Sequence, residues 1–369
     1  MNYTNVLKTD EKAIFELRSL YEKYGFIQYK MSKFEEYDLY VKNKDFLISD
    51  SIITFNDTNG KLLALKPDVT LSIIKNTQEE KGCVQKVYYN ENVYRVSKGT
   101  HTFKEIMQTG LECIGDIDTY NICEVVSLAA KSLNAISDSF VLAISHMGVI
   151  SAVLDKIDVP TGAKEEILKC IGEKNTHDIK KVCDKYGANY DDIVCLVSAY
   201  GSLDAVIEKL KSMDCGFEDA LMELEKINAF MKHEGLEKYV NLDFSIANDM
   251  KYYSGIVFRG FVEGIPTGIL SGGQYDKLMS KMGRKCGAVG FAVYLDLLER
   301  FNESPKTYDV DTVLLYDKDS DEIAIANLIK MFADNGNSVL AVKAVPEAMK
   351  YRQLIRLKDG GFEILENND

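Results

Sequence analysis

The stretch that decides the fold is Lys104-Glu105-Ile106-Met107-Gln108-Thr109-Gly110-Leu111-Glu112. Read as a strand, it places Gln108, Gly110 and Glu112 on one face, so a polar group, a gap and an acid share one surface. Upstream, Val87-Tyr88-Tyr89-Asn90-Glu91-Asn92-Val93-Tyr94-Arg95 reads as a partner strand, and Ser97 to Thr102 supplies the Gly and polar residues of a hairpin loop. Such a platform suits a small zwitterion: Gln108 and Glu112 can meet an amine or an imidazole N–H, and Arg95 can meet an anion. Taken alone, one such hairpin reads first as a solvated sheet face.

Further segments change that balance. The hairpin resembles motif 2 of the class II aminoacyl-tRNA synthetases in their histidyl form. Leu65-Lys66-Pro67-Asp68-Val69-Thr70 resembles the amino-acid-binding turn of that group, and Lys251-Tyr252-Tyr253-Ser254-Gly255 its histidine-specific tyrosine segment. Gly272-Gly273-Gln274-Tyr275-Asp276 and Ala288-Val289-Gly290-Phe291-Ala292 resemble motif 3. Each motif is weak alone, but together they follow the family's order over about the first three hundred residues. The resemblance implies an α+β fold: an antiparallel sheet flanked by helices, followed by a small, truncated α/β C-terminal domain.

It also implies a chemistry that the chain lacks. Joining an amino-acid carboxylate to the α-phosphate of ATP brings two anions together, which requires fixed cations. The motif 2 arginine stands as Arg95, but the histidyl-specific arginine falls on Asn248 and the motif 3 arginine on Leu297. Arg300 and Lys251 are the nearest candidates for rescue. The residues that the resemblance places against the amino acid itself are all present: Asp68, Thr70, Gln108, Glu112, Tyr252 and Tyr253, with Arg95 beside them. Several also have plain structural readings, since Asp68 follows Pro67 at a helix start and paired tyrosines favour strands.

An amino-acid site without the ATP cations is the pattern of a histidine sensor. The chain is similar to the regulatory subunits of ATP phosphoribosyltransferase, whose Arg-Pro-Asp-x-Thr turn is matched by Lys66-Pro67-Asp68-Val69-Thr70. That similarity implies a non-catalytic protein of histidine biosynthesis that binds free histidine. The implied assembly is a homodimer within a hetero-oligomer with the short-form catalytic subunit, without cofactor or metal. The alternatives are an active histidyl-tRNA synthetase with a trimmed C-terminal domain and an amino-acid-activating ligase paralogue.

Composition agrees with an ordinary globular protein: 369 residues, 46% hydrophobic and 27% charged. No apolar signal segment or bilayer-length run is evident, which suggests the cytoplasm and no membrane contact. Eight cysteines and four histidines are scattered without a C-x-x-C pair or ligand cluster; His101, in the hairpin loop, is the histidine best placed to approach a ligand. Gly272-Gly273 lacks the spacing of a phosphate loop. The net charge of −13 argues against tRNA, which needs a basic patch.

The domain reading is a synthetase-like domain over 1–305, with a helical insertion at 150–236, and a short domain over 306–369. Helices are expected at Asp10–Tyr24, Ala163–Gly172, His177–Tyr186, Leu203–Ser212 and Phe217–His233, with an extended segment from Gly25 through Tyr40. The first helix and this segment resemble motif 1, the dimer-forming element, although Ser32 stands at its usual proline. The last stretch reads as βαβαβ, with its second helix at Pro346–Lys358, and resembles the first part of an anticodon-binding domain.

Overall fold

The alternation of Val84–Val96 and Phe103–Gly115 produces the two longest strands of the chain, and the rest of the larger unit is built on them. The computed structural model describes residues 7–47, 52–78, 80–96, 100, 102–246, 252–298, 307–358 and 360–368. The chain divides into two compact units, Met1–Phe301 and Asn302–Asp369.

The strands of the larger unit are, in chain order, β1 (Ile27–Gln28), β2 (Phe34–Glu36), β3 (Thr54–Asn56), β4 (Leu62–Leu65), β5 (Val84–Val96), β6 (Phe103–Gly115), β7 (Phe140–His146), β8 (Tyr200–Ser202), β9 (Val240–Asp243), β10 (Ile256–Val262), β11 (Leu270–Gln274) and β12 (Gly287–Tyr294). Nine form one sheet, ordered β1-β5-β6-β12-β11-β10-β7-β9-β8, and β2-β4-β3 form a small second one. The large sheet is antiparallel through its centre but mixed at its ends, because β1 pairs parallel with β5 and β9 with β7. Both parallel neighbours are reached through long connections, which permit that direction where a tight turn does not.

One face of the sheet is apolar. Leu111, Phe291, Phe258 and Ile144 bury there against helices Thr9–Lys23 and Thr119–Ile136, which are joined by a buried 3.0 Å hydrogen bond between Tyr21 and Ser132. Asp118 caps the second helix by accepting from the Asn121 amide at 3.0 Å. The four expected insertion helices form within two residues of their sequence bounds. Two further helices are not read from the sequence: Met147–Asp155, which leads into the block, and Asp191–Ser198, which is short and carries three β-branched residues. Residues of this block, such as Ile167, Ile193 and Leu224, belong to the same apolar core as the sheet.

Two sequence expectations fail. The segment after Gly25 is not extended through Tyr40: Tyr37–Lys42 is a helix, which buries Tyr40 beneath the small sheet. In the smaller unit, Pro346–Lys358 is not a helix. That unit holds β13 (Val310–Leu315), a helix at Glu322–Asp334, β14 (Val339–Val342), β15 (Tyr351–Lys358) and β16 (Gly361–Asn367), in the order β14-β13-β15-β16. β15 runs parallel to β13 and antiparallel to β16. Its apolar residues serve both faces: Leu354 packs with Val313 on one side and Ile355 with Leu314 on the other.

Candidate functional site

The second face of the large sheet carries the site, and register decides its floor. Tyr89 pairs with Gly110, Gly110 with Ala292, Ala292 with Ser271, and Ser271 with Arg259, so one row of same-face residues crosses β5, β6, β12, β11 and β10. Its three middle members are small, and the sheet is hollow there. The flanking row on one side pairs Glu112 with Gly290; on the other, Gln108 pairs with Tyr294 and Glu91. The result is a cavity of about 550 Å3, within the range of small-molecule sites.

All seven residues singled out from the sequence line this cavity: Asp68, Thr70, Arg95, Gln108, Glu112, Tyr252 and Tyr253. Glu112 is 2% exposed; it accepts from the Thr70 hydroxyl at 2.6 Å and from the Tyr275 hydroxyl. Burial pushes its carboxyl up to about 8, opposed by those two hydrogen bonds. Gly290 is required opposite it, since a Cβ there would lie 1.8 Å from Glu112 Oε2. Gln108 is 3% exposed, and its Nε2 has no hydrogen-bond partner. A buried amide donor without an acceptor, on a residue that lines a cavity, calls for an explanation such as a bound ligand.

The turn after β4 supplies the opposite wall. Asp68 accepts from the Leu71 amide at 2.9 Å, starting the helix Thr70–Asn76, and burial raises its carboxyl despite that bond and the nearby Arg95. The turn is held by Lys66, which is fully buried and pairs with Glu91 at 2.5 Å. Arg95 donates from Nε to the Pro67 carbonyl at 3.1 Å and also bonds the hydroxyl of Tyr294. Tyr252 packs edge-on to Tyr253 at 4.7 Å between ring centres and lies 5.9 Å from Tyr275, so an aromatic wall closes this side. The cavity therefore has an acidic, hydroxyl-rich side and two guanidinium groups, Arg95 and Arg259.

Sequence reasoning missed Arg259, Tyr275, Tyr294 and Tyr89 as lining residues. A signal for Arg259 was present: it is the charged residue in the otherwise apolar Ile256-Val257-Phe258-Arg259-Gly260-Phe261-Val262. At the expected sites of lost cations, Leu297 packs against the main apolar core; Asn248 lies outside the described residues, as do Lys251, Arg300 and His101. Among the described residues no cluster of His, Cys, Asp or Glu could hold a metal ion, and no helix is long and apolar enough to cross a membrane.

A family model described as histidyl-tRNA synthetase matches residues 6–298. A relative named ATP phosphoribosyltransferase regulatory subunit, from Ruminiclostridium cellulolyticum, is 25% identical, over 96% of this chain and 87% of its own. Another of that name, from Clostridium kluyveri, is 30% identical, over 76% and 74%. A solved structure of an ATP phosphoribosyltransferase regulatory subunit/histidyl-tRNA synthetase from Bacillus halodurans C superposes with a TM-score of 0.74 at 25% identity, covering 94% of this chain and 93% of that one. On the strength of these matches the chain belongs to the ATP phosphoribosyltransferase regulatory subunits, the histidyl-tRNA synthetase-like family of class II synthetase fold.

Proposed function

We propose that this chain binds free histidine in the cavity of the large sheet and thereby sets the activity of a short-form ATP phosphoribosyltransferase catalytic subunit, the enzyme that opens histidine biosynthesis. In this reading it works as a homodimer within a hetero-oligomer in the cytoplasm, joins no amino acid to ATP and reads no tRNA. The relatives' names support the partner. The observation that carries the ligand is the convergence of all seven candidate residues on one cavity, where the Gln108 amide points at no protein acceptor.

Asp68 and Glu112 suit an ammonium group or ring N–H, Gln108 a group with lone pairs, and the tyrosines a flat ring. The test is a calorimetric titration of the isolated chain with histidine, repeated on Gln108→Leu. Loss of one buried hydrogen bond should weaken binding about five- to tenfold, near 1 kcal/mol. Folding stability should hold or rise, because an unsatisfied buried donor is removed. Absence of histidine binding by the unmodified chain overturns the reading.

A further inference from the structure

We infer that Arg259 reads the carboxylate of the bound amino acid and so decides that this cavity takes an intact amino acid rather than an amine bearing the same ring. This rests on the proposed histidine site and deepens it. The two guanidinium groups of the cavity are not equivalent. Arg95 is committed to the protein, donating to the Pro67 carbonyl at 3.1 Å and bonding Tyr294, with Asp68 close enough to feel its charge. Among the described residues, no hydrogen bond or ion pair engages the guanidinium of Arg259. An unpaired guanidinium at the edge of a cavity, with five donors in a planar fork, is matched to a carboxylate.

Placement agrees. Arg259 ends the row of small residues, Ser271, Ala292 and Gly110, that floors the cavity. Glu112 stands two residues beyond Gly110 on β6, three strand spacings or ~14 Å from β10. Arg259 lines the cavity and its charge is felt by Tyr294, in the row of Gln108 rather than that of Glu112, which leaves a span suited to an amino acid lying with its amine and ring toward Asp68, Thr70 and Glu112. The stem's course is fixed by Gly268, where a Cβ would come within 2.7 Å of Arg259 Cγ. Polarity is also complementary end to end: the buried Asp68 and Glu112 carboxyls, able to hydrogen-bond an amine or ring nitrogen, stand on one side and the Arg259 cation on the other.

The experiment compares histidine with its methyl ester, which keeps the amine and the ring but loses the negative charge. Both are titrated by calorimetry into the full chain and its Arg259→Met, Arg259→Lys and Arg95→Met variants. The unmodified chain should prefer histidine by about ten- to a hundredfold, the worth of a charge-assisted contact. Arg259→Met should bring that preference close to unity while leaving ester affinity within about twofold, and Arg259→Lys should keep part of it. Ester binding by Arg259→Met certifies that the variant is folded.

The inference is overturned if the unmodified chain does not discriminate, if Arg259→Met keeps the preference, or if Arg95→Met alone abolishes it. Equal loss of both ligands in Arg259→Met and Arg259→Lys makes Arg259 structural and also overturns it. Should the unmodified chain bind neither compound, the histidine-site reading falls, and this inference with it; binding of both without discrimination removes the inference alone.

Discussion

Glu112 is where the physical chemistry of single residues is most exposed. A carboxyl held at about 8 by burial keeps its proton at neutral pH in the empty cavity, while in the unfolded chain it releases it near 4.5. Between those values the folded state holds the extra proton, so raising the pH favours unfolding. The stability tied to the neutral form is complete below the unfolded value and is lost as pH rises through the folded one. Chemical denaturation across pH 5 to 9 should therefore show a decline of roughly 3–5 kcal/mol, which Glu112→Gln flattens. A Glu112→Gln variant with the same pH slope as its parent would refute this. The same bonds qualify Glu112→Ala as a probe of ligand contact: it would strand the hydroxyls of Thr70 and Tyr275 in the core, so its effect on binding would mix with damage to the site. At this scale the sequence was readable where one strand sufficed. Gln108, Gly110 and Glu112 follow from alternation, and Asp68 and Thr70 from their turn. Tyr275 and Arg259 come to the cavity only through the register of β10, β11 and β12, which pairs residues distant in the chain and leaves no local trace.

Among elements, the turn between β4 and the Thr70–Asn76 helix governs the site, because it carries Asp68 and Thr70 while its anchor lies elsewhere. Lys66 is buried without exposure against Glu91 of β5, and its carbonyl accepts from the Tyr94 amide at 2.9 Å. Lys66→Ala leaves Glu91 with an uncompensated charge in a site where its side chain is 17% exposed, and should cost about 3 kcal/mol in urea denaturation. Replacing both, as Lys66→Met with Glu91→Leu, should restore most of that, since the desolvation penalty disappears with the pair. A double variant no more stable than Lys66→Ala would show that the pair is not the clamp. Element identity was legible where periodicity was long, as in the helices Thr9–Lys23 and Glu218–His233. It failed at β15, where the adjacent apolar pair Leu354 and Ile355, one packed on each side of the sheet, breaks the two-residue alternation that marks a one-faced strand and leaves strand and helix undistinguished by periodicity. The cue that separates the two is Asp359-Gly360 between Lys358 and Gly361: an Asp-Gly hairpin dipeptide, with Gly360 at φ +81°. The short helix Tyr37–Lys42 had no such cue, being set by the burial of Tyr40 beneath residues distant in sequence.

At the scale of the whole molecule, the proposal separates binding from chemistry. Arg95 and Arg259 place two cations in the cavity, but one is tied to Pro67 and Tyr294, and Leu297 contributes none. Histidine-dependent exchange between pyrophosphate and ATP should thus fall at least about a hundredfold below that of an ordinary synthetase, the cost of one missing preorganised donor; exchange at synthetase rates would make this chain a ligase. The acidic smaller unit is consistent with that division, with 8 Lys and Arg against 12 Asp and Glu over residues 306–369, a poor surface for nucleic acid. Regulation then demands coupling. A ligand in the cavity can change a partner's behaviour only if its affinity differs between the partner's two states, and linkage makes the effect reciprocal. The factor by which histidine changes the affinity between this chain and the catalytic subunit must equal the factor by which that subunit changes the affinity for histidine, typically 5- to 150-fold. Both are measurable, the first by titrating the catalytic subunit into this chain with and without saturating histidine, the second by titrating histidine with and without the catalytic subunit. Equal factors above unity place the regulatory ligand in this cavity. If histidine inhibits the reconstituted enzyme while both factors stay at one, and Gln108→Leu leaves inhibition unchanged, the inhibitory site lies on the catalytic subunit and this chain serves as its scaffold.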